Sequence, residues 1–405
     1  MTPLLPVAEA LARVLAHVPD GGRAVIKVPL IEALGRVLAE NIISPMAVPG
    51  DDNSAMDGYA LRAADGVGPL PVSQRIPAGT VGTPLQPGTA ARIFTGATIP
   101  EGADAVVMQE NCTEENGLLT ISGAVRGGQN IRPRGQDIAK GSVVLQAGRK
   151  LRPQDLGLLA SIGAALVPVY RPLKVAILST GDELVDPGSA DPGASLQPGQ
   201  LYNSNRYTLA GLLHSLNMEV VDGGIIPDDP GATASALQEA ANNADCVISS
   251  GGVSVGEEDH VKNQVEKLGT LNLWKLAMKP GKPLAFGFIG DTPFFGLPGN
   301  PTSVFVTFCL VARPFLLKMQ GLLEPETVKL MAVAGFSSGK PGGRQEYRRV
   351  TVCNAGGVLE AMDYGNQSSG VLSSVSHSNA FAIIPPGIVV EKGDAVEVML
   401  LDHLA

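Results

Sequence analysis

The chain has 405 residues, 44% of them hydrophobic, 4% aromatic and 17% charged, with a formal net charge of −9, 49 glycines and 31 prolines. At about 150 residues per domain this length predicts two to four domains, and the glycine and proline content predicts many turns. The acidic balance argues against broad, sequence-independent nucleic-acid binding, and no uninterrupted apolar run of about 20 residues marks a membrane-spanning helix.

The first residues lack the basic start and long apolar stretch of a signal peptide, so a cytoplasmic location is expected. Cys112, Cys246, Cys309 and Cys353 are far apart and form no CxxC pair. That spacing suits neither a zinc site nor a disulfide framework. Cys246 and Cys309 sit in apolar runs and read as small core residues.

In chain order, Val7, Leu11, Val14 and Leu15 have the spacing of one helical face. A second helix is expected over residues 30–38. These segments are too slight for a core of their own and need a partner later in the sequence or on another subunit. Residues 51–137 change texture, with short apolar runs at residues 90–94, 105–108 and 118–121 that read as strands of a small β domain. Two polar islands flank it, Asp51 to Ala60 and Arg132 to Asp137. Each singly reads as a turn, but together an acidic and a basic island can meet at the mouth of the domain. A helix starting at Pro153, with Asp155 in its first turn, has the usual N-terminal chemistry.

From residue 171 to 326 strands and helices alternate, the pattern of a parallel α/β sheet. Strands are expected at residues 174–178, 220–226, 246–248, 283–288 and 293–297. Helices are expected from Asn203, from about Gly231, from His260 and over residues 302–319, where Pro314 should kink or divide the helix. Residues 327–405 return to alternating strands and read as a small β-barrel or sandwich.

In open α/β sheets ligands gather at the carboxyl ends of strands. Three loops there carry suitable chemistry: Ser179-Thr180-Gly181-Asp182-Glu183, the stretch from Ser249 to His260, and Leu297-Pro298-Gly299-Asn300-Pro301-Thr302. In the third, Asn300 and Thr302 stand at a helix start, where free N–H groups and side-chain oxygens can hold an anion. The second joins a glycine turn able to converge backbone N–H groups on a phosphate with Glu257, Glu258 and Asp259, which need a cation such as Mg²⁺ beside such an anion. It reads equally as a strand-to-helix loop whose acidic first turn suits the helix dipole. Lys275, Lys279 and Lys282, set among rigid prolines, read either as a solvated face or as cations aimed at an oxyanion.

Taken in order, Met56-Asp57-Gly58-Tyr59-Ala60, Thr180-Gly181-Asp182-Glu183-Leu184, Ser250-Gly251-Gly252-Val253-Ser254-Val255-Gly256, Met278-Lys279-Pro280-Gly281-Lys282-Pro283 and Leu297-Pro298-Gly299-Asn300-Pro301 resemble the molybdopterin molybdenumtransferases, the family of bacterial MoeA and the gephyrin E domain. The match runs over essentially the whole chain. The resemblance implies an α/β plus β fold: a multidomain, elongated subunit with a central α/β molybdopterin-binding domain (171–326), an inserted β domain (51–137), an N-terminal helical and linker domain (1–50 with 138–170) and a C-terminal β-barrel-like domain (327–405). It implies a transferase that converts adenylylated molybdopterin and molybdate, with Mg²⁺, into the molybdenum cofactor and AMP. A homodimer with sites between subunits is implied, and a molybdopterin adenylyltransferase and molybdoenzyme insertion factors are expected partners. An adenylyltransferase or a scaffold protein of the gephyrin type are the alternatives.

Carried over by motif, Asp259, Glu183 and Asp228 are the acidic positions expected to bind Mg²⁺ or act on the anhydride, with Asp259 and Glu183 as metal ligands. Asp57 and Asp137 are the acidic positions of the β domain. Lys279, Lys282, Ser254, Arg344 and Ser368 match the molybdate positions, with Arg348 and Ser369 as alternatives in the C-terminal segment. Thr180, Ser250, Gly251, Gly252, Lys275, Pro298 and Asn300 are expected to hold the pterin and its phosphates.

Overall fold

The computed structural model describes residues 4–19, 23–187, 195–252, 260–323 and 328–404. The chain divides into two compact units, one of Met1–Ile26, Gly35–Val37 and Val169–Ala405, the other of Lys27–Leu34 and Leu38–Pro168. The segments expected at 171–326 and 327–405 thus fall in one unit and 51–137 in the other, while residues 1–50 are shared between the two.

The smaller unit is built on a six-stranded sheet in the order Ala105–Met108, Gly58–Leu61, Ala90–Ile93, Leu70–Ile76, Leu118–Ile121, Cys112–Glu115. Alternation sends Tyr59 and Leu61 to a cluster with Val107 and Leu119, and Ala60 to one with Ile76, Ile93 and Val106. Pro153–Ser161 starts as its sequence predicts: buried Asp155 accepts the Arg152 N–H at 2.9 Å and pairs with Arg149 at 2.8 Å. The helix expected over residues 30–38 does not form. Only one turn, Leu30–Glu32, is helical, because Gly35 lies at φ +72°, outside helical backbone.

In the larger unit, helix α1 (Val7–Leu15) buries Ala10 and Val14, four residues apart on one face. They join the main core with Leu276, Phe308 and Phe315, so the later partner this helix required is the α/β core of its own chain. That core surrounds β1 (Lys174–Thr180), α2 (Ser204–Ser215), β2 (Glu219–Ile226), α3 (Pro230–Asn243), β3 (Cys246–Ser250), α4 (His260–Leu268), β4 (Gly269–Lys275), β5 (Pro283–Ile289) and β6 (Thr292–Leu297). The sheet order is β2-β1-β3-β6-β5-β4. Strands β2, β1, β3 and β6 form the expected parallel sheet, but β5 pairs antiparallel with β6 and β4 antiparallel with β5, so the sheet is mixed at that edge. The tight turn at Gly290, φ +56°, turns β5 straight back into β6 and leaves no room for a crossover helix.

The apolar stretch Pro301–Met319 is long and apolar enough to cross a membrane by composition, yet 83% of its apolar window is buried in this core. It divides into α5 (Pro301–Thr307) and α6 (Arg313–Met319) around a wide π-helical turn, Phe308–Ala312. Pro314 has no N–H to continue the ladder, and the wide turn just ahead of it absorbs the mismatch. Cys246 and Cys309 are buried core residues, and burial pushes the Cys309 thiol up to about 12.

Strands β7 (Lys329–Ala334), β8 (Gln345–Ala355), β9 (Val358–Asp363), β10 (Ala380–Ile384) and β11 (Ala395–Leu400) close into a barrel through β8-β9-β7-β11-β10 and back to β8. Met278 and Lys279 pair in parallel with Gln345 and Glu346 of β8, which fixes the lysine segment against the barrel.

Candidate active site

The three polar loops follow β1, β3 and β6, neighbouring parallel strands, and therefore open on the same edge of the sheet. After β1, Gly181 lies at φ +137°, and a Cβ there would come within 2.4 Å of the Glu183 carboxylate. Glycine is thus what lets Glu183 fold back across the loop. The Leu201 N–H donates to Glu183 O at 2.9 Å and the Asn203 N–H to Val185 O at 2.9 Å, tying this loop to the start of α2. Asp182 Oδ1 accepts the Asp228 N–H at 3.1 Å.

After β3, Gly251 (φ +91°) and Gly252 (φ +66°) turn the backbone tightly under Thr180. A Cβ at Gly252 would lie 2.5 Å from Val261 and 2.9 Å from Thr180 Oγ1, so no side chain fits. Ser254 and Asp259, expected in this loop, lie outside the described residues.

After β6, Asn300 stands at the N-terminus of α5 with Pro301 at its first position. The Thr302 N–H donates to Ser369 O at 3.1 Å and its hydroxyl to Val371 O at 3.0 Å. The expectation that Thr302 would hold an anion is therefore corrected: its donors bind the segment after β9.

These loops and the barrel line one cavity of about 870 Å³. Its lining includes Thr180, Glu183 and Asp228 from the first loop and α3 side, Ser250, Gly251, Gly252, Pro298 and Asn300 from the second and third, and the cations Lys279, Lys282 and Arg344 with Ser368 and Ser369. Lys275 is exposed at the end of edge strand β4 and does not line it. Lys279 is half-exposed, 3.3 Å from Glu346, and the Arg344 guanidinium donates to Met278 O at 3.2 Å. Arg348 is committed elsewhere, 2.7 Å from Asp363 and stacked on Phe336, so of the two arginines it is Arg344 that reaches the cavity.

Behind the Ser368 segment sits Arg349, 1% exposed. It donates to Ser374 Oγ, Tyr347 O and Ser368 O, while its backbone exchanges two 2.9 Å bonds with the Gln367 amide. Burial pushes its pKa down to about 10, still well above neutrality, so the guanidinium stays charged and holds the segment. Sequence reading gave Arg349 and Gln367 no role, since both lie in an ordinary strand and turn. It also read Asn203 only as a helix start and missed Asn205, although both line the cavity.

In the smaller unit the two polar islands do meet: Asn53 and Ser54 pair with Arg132 and Ile131, and the Arg134 N–H donates to Asp52 Oδ1 at 2.7 Å. Asp57 Oδ1 accepts both the Thr95 N–H (2.8 Å) and its hydroxyl (2.7 Å). These bonds, backbone first, hold the carboxyl below its ordinary range. Asp137 is exposed, its N–H bonded to Val48 O at 3.0 Å. Among the described residues no group of three His, Cys, Asp or Glu side chains is placed to hold a metal ion.

A multidomain protein with an open α/β domain, a closed barrel and a cavity joining carboxylates, a glycine cradle and cations is the class defined by this fold and site. Residues 5–163 match the MoeA N-terminal region (domain I and II), 176–318 a probable molybdopterin binding domain and 331–401 the MoeA C-terminal region (domain IV). The chain is 44% identical over 385 residues to the molybdopterin molybdenumtransferase of Haemophilus influenzae, covering 93% of each. It is 37% identical to molybdopterin molybdenumtransferase 2 of Mycobacterium tuberculosis, covering 90% of this chain and 92% of that one. The solved molybdopterin biosynthesis MoeA protein of Pyrococcus horikoshii superposes with a TM-score of 0.83 at 33% identity, over 98% of this chain and 100% of that one. The chain belongs to the molybdopterin molybdenumtransferase family.

Proposed function

We propose that this transferase hydrolyses adenylylated molybdopterin and inserts molybdate into the dithiolene, releasing AMP and the molybdenum cofactor. The observation that carries the reading is the single cavity lined at once by a glycine cradle, two carboxylates and three cations. Gly252 brings bare backbone beside Thr180, where its N–H can receive a phosphate oxygen, while the Gly251 N–H is given to Leu297 O at 3.2 Å and holds the turn in place. Lys279, Lys282, Arg344 and Ser368 supply donors for a dianion, offsetting its loss of water. Ser254 belongs to the same proposed oxyanion set by its motif.

Glu183 and Asp228 are oxygen donors of the kind and number a hard divalent cation takes from protein when phosphate supplies the rest, and with Asp259 as the third proposed acidic position they would hold Mg²⁺. Bound there, Mg²⁺ would neutralise charge on the phosphoanhydride. Asp57 and Asp137 are proposed as acidic contributors from the smaller unit. A homodimer is proposed with them, as the motif resemblance implies.

The test is to incubate the protein with adenylylated molybdopterin, Mg²⁺ and molybdate while measuring AMP and protein-bound molybdenum together. Both should rise in step, and omission of Mg²⁺ should abolish both. Asp259→Ala should keep the wild-type melting curve and lose AMP release; normal turnover would remove Asp259 from the mechanism. Formation of adenylylated product from ATP and metal-free molybdopterin, without molybdate-dependent AMP release, would replace the reading by an adenylyltransferase.

A further inference from the structure

Three residues that line the cavity carry buried neutral polar atoms with no partner among the described residues. Asn203 is 1% exposed, and its Oδ1 accepts the Arg206 N–H at 3.2 Å, capping α2. That bond fixes the amide orientation, and the buried Nδ2 is then a donor with no acceptor among the described residues. Asn205 is committed the opposite way. Its Nδ2 donates to Gly299 O at 2.7 Å, which leaves a buried Oδ1 with no donor among the described residues. Ser250, 2% exposed, adds a hydroxyl with no partner among the described residues. All three residues line the cavity.

Each buried, unmatched polar group costs a fold the desolvation of a hydrogen bond it does not make. Native structures keep such groups where a ligand or an ordered water completes them. Both amides are held rigidly, one by the helix it caps and the other by its bond to the Pro298-Gly299 turn, so their free ends are fixed in place. A donor, an acceptor and a rotatable hydroxyl, all uncharged, suit the edge of a planar heteroaromatic ring that offers both a hydrogen-bond donor and an acceptor. Phosphate or molybdate would instead favour the cations Lys279, Lys282 and Arg344 lining the same cavity.

We propose that Asn203 and Asn205, with Ser250 beside them, form a ring-reading subsite that selects the substrate by the hydrogen-bonding edge of a heteroaromatic ring. The inference rests on the reading of the substrate as adenylylated molybdopterin, whose pterin and adenine rings both present such an edge.

The test uses the full chain, with anaerobic equilibrium binding of three probes: metal-free molybdopterin, AMP and molybdate. Asn203→Ser keeps a side-chain oxygen able to cap α2 and removes the amide donor without adding charge. Its melting temperature is read alongside. Asn205→Ser is the second variant should the first fail to fold. The expected result is a loss of roughly tenfold or more in affinity for one ring probe, with molybdate binding unchanged; the probe that weakens identifies which ring is read. Wild-type affinity of a folded variant for both ring probes would overturn the proposal, as would an equal loss for all three probes. If the wild-type protein itself binds neither ring probe, the functional reading fails together with the inference, and that outcome is visible before any variant is made.

Discussion

The Asp57 turn of the smaller unit and the cavity of the larger one are both rich in polar side chains, but they use them differently. At Asp57 the groups answer one another. Thr95 donates twice to the carboxylate, and Arg92 donates to Gly58 O and Gln109 Oε1 while lying over Tyr59 and Phe94. In the cavity, Asn203, Asn205 and Ser250 each keep a buried atom unmatched. The difference separates a carboxylate whose orientation and charge are fixed internally from a surface arranged to be completed by something else.

The sharpest way to break this comparison is to remove an internal partner behind the cavity. Arg349→Leu should cost about 3 kcal/mol of stability, because Ser374 Oγ, Tyr347 O and Ser368 O lose a buried charged donor. Denaturant unfolding measures it, and a midpoint equal to wild type would show that Arg349 holds nothing in place. Next in size, Lys279→Ala combined with Lys282→Ala should weaken molybdate binding roughly a hundredfold while leaving the melting temperature close to wild type. Lys279 is half-exposed and its pairing with Glu346 contributes little to stability. Unchanged molybdate titrations would count against a basic oxyanion wall.

The smallest effect belongs to Thr95→Val, which removes the hydroxyl bond to Asp57 and keeps the backbone one. The Asp57 carboxyl should then titrate at higher pH than in wild type, as read by carboxyl NMR signals. The sign follows from the lowered pKa: the ionised form gains from Thr95 above the ordinary carboxylate range, and that gain is lost as pH falls through the lower folded value. An identical titration in the variant would mean that the hydroxyl does not act on Asp57.

How much of this was legible in the sequence depends on the range of the interaction concerned. The start of the Pro153–Ser161 helix, the strand before Thr180 and the glycine turns after Ser250 follow from local rules: a missing N–H at proline, a short continuous apolar run, and glycine at positive φ. The motifs also placed Glu183, Ser250, Lys279 and Asn300 in a common set, and the fold gathers all four around one cavity. The antiparallel pair β4 and β5 was not legible, because a strand's direction depends on its neighbours rather than on its composition.

Burial and partnership were decided by the tertiary structure alone. Asn203 reads as an ordinary helix start and Asn205 draws no reading at all, and nothing in their identity says that one keeps a free donor and the other a free acceptor among the described residues. That follows from Arg206 N and Gly299 O, the first three residues from Asn203 along the chain and the second 94 from Asn205. Thr302 fails as an anion holder for the same reason, since Ser369 and Val371 take its donors. The sequence by itself determined which residue types stand in which loops, because local backbone chemistry acts over a few residues. Which of their polar atoms remain free was settled only by packing, because each hydrogen-bonding group is committed by whatever the fold brings beside it.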